Sequence, residues 1–401
     1  MNRRNLFAVT AAFASGIAVS SAQTAVAQNA DAQISPPLFT VGKVEVRPNF
    51  SYGMTLDDNI YLAHRNGRKE DDVLHTFTPG VVLGAGDYRG QRSGFLSANY
   101  NANFLVFQDN SGANAVTHNA GVTVGGGERL SWRLGQQLQS DADADVANLA
   151  AGGRVARDIW TTSLSTVYDL SDKTNLEGRF ASIYNNYDSA TTFDSWRGQG
   201  ALMLDYEATA KVHYALGGTF GYDQVDGFNN SVYEQINSRL VWTVSPKLAL
   251  RAGFGVEFRQ FQGSNIDKTT PVADLGADWI LSPLTVASLG VSRGVNASNS
   301  VGNQYATRTS VTGRLAHRFG QRYAATFTTG YSLSELSRAG VSAVFSQTDN
   351  YWFLNPSLAM RVMDRTTATA SYTFRRNDSD ALANGSDFVN HQASLSLNYA
   401  F

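Results

Sequence analysis

The chain has 401 residues, of which only 16% are charged, against roughly 25% in an average soluble domain. Its formal net charge of −2 argues against a nucleic-acid-binding protein, and the absence of cysteine excludes disulfides, thiolate metal sites and cysteine nucleophiles. With 36 glycines and 11% aromatic residues, the composition is typical of a glycine- and tyrosine-rich β-protein.

The amino terminus predicts a secretory signal peptide. Arg3 and Arg4 precede an apolar stretch at 6–19, and small residues around Ala27 provide a cleavage site. We favour ordinary secretion over a twin-arginine signal. After this segment, no run approaches the roughly 18 apolar residues that a spanning helix needs. The expected organisation is a signal peptide at 1–27, a short periplasmic segment at 28–42 and an outer-membrane β-barrel at 43–401.

From Lys43 onward, apolar residues recur at every second position, which is the period of a β-strand. In the first such segment the apolar set is Val44, Val46, Pro48, Phe50, Tyr52, Met54 and Leu56. Tight turns and longer polar connections then alternate along the chain. The segments run about 12 to 17 residues, whereas strands of soluble β-sandwiches usually have about five or six. We predict an all-β, transmembrane antiparallel barrel of about 18 strands, with 16 as the alternative.

The carboxyl terminus carries the strongest single pattern. Leu395, Leu397, Tyr399 and Phe401 place an apolar side chain at every second position, and the chain ends on the aromatic residue. This ending is typical of the assembly signal of outer-membrane barrels. It predicts a bacterial outer-membrane location, with lipid and lipopolysaccharide around the barrel and the barrel-assembly machinery as a partner of the last strand.

The polar set of each strand is expected to face the lumen. The pore-lining candidates are Arg179, Arg239, Arg251, Arg259, Arg308, Arg314, Arg361, Arg375 and Glu257. Because arginines outnumber acids on this face, a mild preference for anions is one hypothesis. Pairs such as Glu257 with arginines of neighbouring strands could instead only brace the wall, and the pattern does not decide between the two.

The sequence offers little support for a metal site or an enzyme. Asp141, Asp143 and Asp145 alternate in a long polar segment, but the spacing lacks the glycine and the distal glutamate of a calcium loop, so we favour a solvated loop. The six histidines are scattered without metal-ligand spacing. His118 and His391 could be imagined in a barrel lipase, yet no Gly-x-Ser-x-Gly elbow accompanies them. We therefore expect no enzyme, no cofactor and no metal site.

The opening hairpin resembles one known family. Pro48 to Tyr52 leads into Asp57-Asp58-Asn59-Ile60-Tyr61, and Thr76 to Gly80 carries a Pro-Gly. These features are similar to the β-barrel porin family of the second type, in which the first strand ends in an Asp-Asn-aliphatic-aromatic loop. The resemblance implies an outer-membrane barrel of unassigned substrate. Some relatives occur with exopolysaccharide synthesis and export systems, which implies polysaccharide-export proteins as possible partners.

Two functions follow as hypotheses. The first is a porin-like channel for diffusion or export of hydrophilic, possibly anionic solutes. The second is a closed or scaffold barrel that partners a periplasmic exopolysaccharide-export assembly.

Overall fold

The computed structural model describes residues 38–65, 67–91, 93–142, 154–188, 192–263, 267–297, 304–338, 346–380 and 387–401. These residues form one antiparallel sheet of 18 strands that closes on itself, and one short strand outside it. The strands are β1 Phe39–Val41, β2 Val44–Asp57, β3 Asp72–Gly86, β4 Phe95–Phe107, β5 Ala115–Gly126, β6 Leu130–Asp141, β7 Arg157–Asp169, β8 Thr174–Tyr187, β9 Ser195–Thr209, β10 Val212–Val225, β11 Ser231–Ser245, β12 Leu248–Phe261, β13 Asp267–Ser282, β14 Thr285–Ala297, β15 Gln304–Phe319, β16 Tyr323–Arg338, β17 Ser346–Met363, β18 Thr366–Ser379 and β19 Phe388–Ala400.

Each strand from β2 to β18 pairs with the next strand along the chain, and β19 returns to pair with β2. The closing ladder runs from Gln392 opposite Asp57 to Ala400 opposite Asn49. Closure gives the first and last barrel strands hydrogen-bond partners, which matters because an N–H or C=O left to lipid costs several kcal/mol. The predicted barrel of 18 strands is confirmed.

The two ends of the barrel differ in their connections. Short turns such as 210–211, 246–247 and 364–365 lie at one end, together with the start of β2 and the end of β19. The strand ends that are joined by long connections, such as the end of β6 and the start of β7, lie at the other end. Outer-membrane barrels have short periplasmic turns and longer extracellular loops. The short-turn end is therefore the periplasmic end.

The outer surface of the barrel is apolar, and its inner surface is polar. Outward side chains such as Leu216, Ile236 and Phe254 are 64%, 64% and 57% exposed. Charged side chains such as Asp205 and Glu257 are instead 0% and 1% exposed. This distribution inverts that of a soluble protein and matches a lipid-facing barrel with a polar lumen. The predicted outer-membrane location is confirmed.

All six tryptophans lie on the outer surface and are 36–52% exposed. Trp160 and Trp196 stand near the extracellular ends of β7 and β9, and Trp242 and Trp279 stand near the periplasmic ends of β11 and β13. Tryptophan prefers the two membrane–water interfaces, because its ring is apolar and its N–H is polar. These residues form part of two aromatic girdles.

The seam between β19 and β2 is extended at its periplasmic end. Strand β1, which the sequence pattern did not predict, pairs with β2 through Phe39 opposite Val46 and Val41 opposite Val44. It occupies the edge of β2 beyond the point where β19 ends. Three residues are too few to show a period of two, so no pattern could have revealed this strand.

The described residues contain one 3-10 turn, Ser111–Ala113, and no helix long and apolar enough to cross a membrane. The predicted signal peptide at 1–27 lies outside the described residues. It remains a prediction.

Candidate functional site

The lumen brings the inward side chains of β8 to β12 into two ion clusters. The first ion cluster consists of Glu177, Arg179, Asp205, His213 and Arg239. The Arg239 guanidinium donates to both carboxylate oxygens of Glu177 at 2.9 and 2.6 Å and to Asp205 at 3.1 Å. Arg179 donates to the same Glu177 at 3.1 Å, and His213 Nδ1 lies 3.4 Å from Asp205 Oδ1.

The second ion cluster consists of Arg197, Asp223, Glu257 and Arg259. Arg259 donates from Nη1 to Asp223 at 2.5 Å and from Nε to Glu257 at 2.7 Å. Arg197 binds the same Asp223 with two nitrogens, at 2.5 and 3.0 Å. The Arg259 guanidinium also lies over the Tyr233 ring, 4.4 Å from its centroid.

Both ion clusters are electrically balanced, because each contains two arginines and two carboxylates. Arg239, Arg259 and Glu257 are only 5%, 2% and 1% exposed. A buried, balanced cluster gains little net free energy over an apolar packing, but removal of one member leaves an uncompensated buried charge. The observed contacts of Glu257 therefore favour the bracing interpretation.

The other candidates divide into half-buried and exposed arginines. Arg251 lies 3.1 Å from Asp278, Arg308 donates to Ser334 Oγ at 3.1 Å, and Arg375 donates to Asn390 at 2.9 and 2.7 Å. Arg314 and Arg361 are exposed, on the inward-facing sets of β15 and β17 near their periplasmic ends. Solvent-exposed arginines attract anions better than arginines inside a balanced cluster.

The first extracellular connection, 58–71, explains the Asp-Asn motif of the opening hairpin. Asn59 is fully buried, accepts from the Ala63 N–H at 2.7 Å and donates to the Val389 carbonyl at 3.2 Å. Asp57 accepts from the Asn59 N–H at 2.9 Å and from Asn390 Nδ2 at 2.5 Å. The motif thus ties the loop to β19 and extends the seam at its extracellular end.

The same connection also covers part of the inner wall. Ile60 packs with Leu105 and Phe107, and these three side chains are 2%, 8% and 3% exposed. Both β4 residues belong to the inward set, since Phe104 and Val106 are exposed on the outside at 43% and 41%. The connection therefore narrows the extracellular mouth.

Tyr88 narrows the opposite mouth. It follows β3, and its ring covers Gly84, where an added Cβ would lie 2.4 Å from the ring. The hydroxyl donates to Glu45 at 2.6 Å, and Arg89 reaches the same carboxylate at 2.7 Å. Burial, together with the hydrogen bond to Glu45, raises the pKa of the Tyr88 hydroxyl to about 12.

The Tyr88 hydroxyl gives a testable pH dependence. Because its folded-state pKa is raised from 10.0 to about 12, its contribution to stability is complete below pH 10 and is lost as the pH rises through 12. We expect Tyr88→Phe to lower the free energy of unfolding by about 1 kcal/mol at pH 8, and the difference from wild type to shrink and then reverse as the pH rises towards 12, because only wild type then holds a buried phenolate. Urea unfolding in lipid vesicles measures both values. Tyr323→Phe, on the outer surface, is the control, and a difference that persists at high pH contradicts the assignment.

A third constriction comes from the hairpin of β14 and β15. Asn296 of β14 accepts from Arg197 Nη1 of β9 at 3.0 Å. These two strands are five positions apart around the barrel, so the contact crosses the lumen. Tyr305 of β15 packs against Phe261 of β12 with ring centroids 5.3 Å apart. The extracellular end of β14 has separated from β13 and turned into the lumen, while β15 stays paired with β16 as far as Gln304 opposite Arg338.

Three of the histidines on the outer surface each lie beside a tyrosine of the adjacent strand. The Tyr100 hydroxyl lies 2.9 Å from His118 Nδ1, and the Tyr372 hydroxyl lies 2.6 Å from His391 Nδ1. Tyr52 and His75 repeat the arrangement at 2.9 Å. The partners are hydroxyls of tyrosine rather than serine, so no lipase-like pair is formed by His118 or His391.

No group of three metal-binding side chains exists within the ranges that the structure describes. Asp141 is described and lies 3.2 Å from Arg157, whereas Asp143 and Asp145 lie outside the described residues. The calcium alternative is therefore untested.

Comparison with known proteins adds a similarity of fold. No family model matches the sequence. No curated protein matches it. Among solved structures, the outer membrane protein OpdK of Pseudomonas aeruginosa is similar with 12% identity, 89% of this chain and 98% of that chain covered, and a TM-score of 0.46. OccAB4 of Acinetobacter baumannii is similar with 11% identity, 90% of this chain and 99% of that chain covered, and a TM-score of 0.48. OpdO of Pseudomonas aeruginosa is similar with 11% identity, 90% of this chain and 98% of that chain covered, and a TM-score of 0.49.

Proposed function

We propose that this outer-membrane barrel is a passive channel for hydrophilic solutes, with a mild preference for anions. The observation that carries the proposal is the closed sheet of 18 strands whose charged and polar side chains point inward. A barrel of this size is wide enough to hold an aqueous channel unless segments plug it. The connection 58–71, Tyr88 and the β14–β15 hairpin narrow the lumen from three places, which would make the channel selective rather than wide.

The preference for anions rests on the exposed arginines. The two ion clusters are balanced and contribute little fixed charge, so the field in the lumen depends on residues such as Arg314 and Arg361. Both are exposed on the inward face near the periplasmic end. A narrow path between low-dielectric walls strengthens the effect of each fixed charge on passing ions.

Planar-bilayer recording of the refolded protein tests the channel. We expect discrete conductance steps in KCl, and their absence would overturn the proposal. No described feature favours the scaffold alternative, which remains the outcome that a silent barrel with a co-purifying periplasmic partner would support.

Selectivity has its own prediction. Arg314→Gln combined with Arg361→Gln should lower the anion-to-cation permeability ratio by roughly a factor of two. Reversal potentials in a KCl gradient measure this ratio. Arg322→Gln removes the same charge from a periplasmic turn and should change the ratio less. Equal effects of the lumen and turn variants would mean that the lumen arginines do not set selectivity.

A further inference from the structure

Three hairpins carry the same pair of side chains on the outer surface. The Tyr–His pairs of β2–β3, β4–β5 and β18–β19 have ring centroids 6.1 Å apart in every case. Each histidine lies diagonally from its tyrosine, two residues nearer the extracellular end than the residue that pairs with the tyrosine. The hairpins are neighbours around the barrel, because β19 pairs with β2 and β3 pairs with β4. We call His75, His118 and His391 the histidine row.

The histidine row faces the outer leaflet of the membrane. Each histidine is the fourth residue of a strand that starts at the extracellular end, and Trp160 of the extracellular girdle holds the same position in β7. The three residues before each histidine span roughly 10 Å of strand. The outer leaflet of a bacterial outer membrane is built of lipopolysaccharide, so this is the lipid that the row meets.

Each imidazole of the row has a second ring nitrogen for the membrane. Nδ1 is the atom that lies beside the tyrosine hydroxyl. When the hydroxyl donates, the ring proton lies on Nε2, which is then a donor. Within the described part of the chain, no residue forms a hydrogen bond with Nε2 of these histidines. A polar group left unsatisfied in lipid costs several kcal/mol. The row therefore requires acceptors from the lipid, such as the carbonyls that join acyl chains to a head group.

Two arginines lie on the extracellular side of the last Tyr–His pair. Arg376 belongs to the outward set of β18 together with Tyr372, and its side chain is 45% exposed. It binds Asp378 at 2.8 Å, and Arg65 of the connection 58–71 donates to the same carboxylate. Arg65 is 44% exposed. Two guanidinium groups thus share one carboxylate, which leaves a positive charge on the outer surface.

The surrounding charges differ from those of this arginine pair. Asp380 and Asp387 lie outside the strands and accept backbone N–H groups. Further around the outer surface, Arg293 lies 3.7 Å from the single carboxylate of Glu335, so that pair is balanced. Guanidinium groups bind phosphate well, because their planar donors match its oxygens. The arginine pair therefore suits the phosphate of a lipid head group.

An apolar surface continues from the arginine pair towards the periplasm. The Phe374 ring lies 5.2 Å from the His391 ring. Below them on β19, Leu395 and Leu397 are 53% and 45% exposed. Cations, then donors for carbonyl groups, then apolar side chains follow one another down the wall. The head group, linkages and acyl chains of a phosphorylated glycolipid have the same order.

We propose that the outer surface from β18 to β5 is a binding site for lipopolysaccharide. A phosphate meets Arg65 and Arg376, acyl carbonyls accept from the histidine row, and acyl chains lie on the apolar wall below. Because Arg65 follows β2 and Arg376 belongs to β18, the bound lipid joins the two sides of the seam. This site is independent of ion conduction.

Native mass spectrometry of the barrel, refolded in detergent without lipopolysaccharide, tests the site with diphosphorylated lipid A as the probe. We expect saturable binding that weakens roughly tenfold in Arg376→Gln, equivalent to about 1.4 kcal/mol. Arg293→Gln is the matched control, because it removes an outer-surface arginine from a balanced pair. Asp378→Asn removes the shared carboxylate and should strengthen binding. Absent binding, or equal binding by Arg376→Gln and Arg293→Gln, would overturn the site.

The form of the lipid identifies the ligand. Dephosphorylated lipid A should bind wild type as weakly as the diphosphorylated form binds Arg376→Gln. Phosphatidylglycerol should bind more weakly than lipid A, and millimolar inorganic phosphate should not displace lipid A. Equal binding of phosphatidylglycerol, or displacement by phosphate, would overturn the assignment to lipopolysaccharide.

The histidine row has its own variant. His75→Phe, His118→Phe and His391→Phe together keep the aromatic rings but remove the N–H groups, and should weaken binding of both forms of lipid A about threefold. His317→Phe is the control, since His317 lies at the periplasmic end of β15, beside Thr285. Equal binding by the triple variant and the control would overturn the role of the row. Conductance steps in KCl, measured on the same samples, report separately on the channel.

Discussion

Arg259→Met should lower the free energy of unfolding by about 3 kcal/mol or more. The methionine fills much of the volume of the arginine but leaves Asp223 and Glu257, at 3% and 1% exposure, with the single cation of Arg197, which binds Asp223. Glu257 is then a buried carboxylate without its cation, which is strongly unfavourable. Urea unfolding of the barrel in lipid vesicles, followed by tryptophan fluorescence, measures the loss.

A matched variant and a rescue separate this effect from a general intolerance of substitution. Arg361→Met makes the same change at an exposed lumen position and should cost less than about 1 kcal/mol, as is usual for surface sites. Adding Glu257→Gln to Arg259→Met removes the stranded charge, leaves Asp223 paired with Arg197 and should restore much of the stability. If Arg259→Met and Arg361→Met unfold at the same urea concentration, the second ion cluster does not brace the wall.

Deletion of Phe401 should sharply reduce the amount of barrel in the outer membrane. In the folded protein its ring is 39% exposed and packs edge-on against Tyr399, with centroids 4.7 Å apart. Such a peripheral contact contributes about 1 kcal/mol to stability, which is too little to prevent folding. We propose that the ring acts earlier, as part of the signal that the barrel-assembly machinery reads on the last strand.

Two measurements distinguish assembly from stability. The deletion variant should refold from urea into lipid vesicles almost as well as wild type, yet accumulate in the periplasm of expressing cells. Phe319→Ser removes an aromatic ring that is 54% exposed at the same end of the barrel and should leave assembly intact. Equal membrane levels of the deletion variant and wild type would contradict the role of Phe401.

Much of the barrel follows from the alternation of side chains alone. A period of two predicts where strands lie and which set faces lipid, and the observed β2, Val44–Asp57, agrees with the predicted first strand. Alternation is reliable here because every wall residue has lipid on one side and the lumen on the other. The short β1 and the inward course of the extracellular end of β14 were not predicted, because neither leaves a periodic signal.

The partners inside the lumen could not be predicted in the same way. Glu177 and Arg239 are both expected to face inward, but they lie on strands three positions apart. The contact between these two side chains depends on the stagger between the strands and on how far each side chain extends across the curved inner wall. Val295 and Tyr305 show the opposite problem, since their position in the alternation assigns them to lipid while a long-range contact holds them in the lumen.

The reinforced seam has a consequence for the order of folding. Asn59 binds a carbonyl that lies 330 residues away. Contacts between such distant parts of a chain form slowly, because a very large loop must close first. The seam between β19 and β2 should therefore be the last part of the barrel to form. Once the Asn59 contacts and β1 are in place at the two ends of the seam, they would also prevent a strand of a neighbouring polypeptide from pairing with the edge of β2.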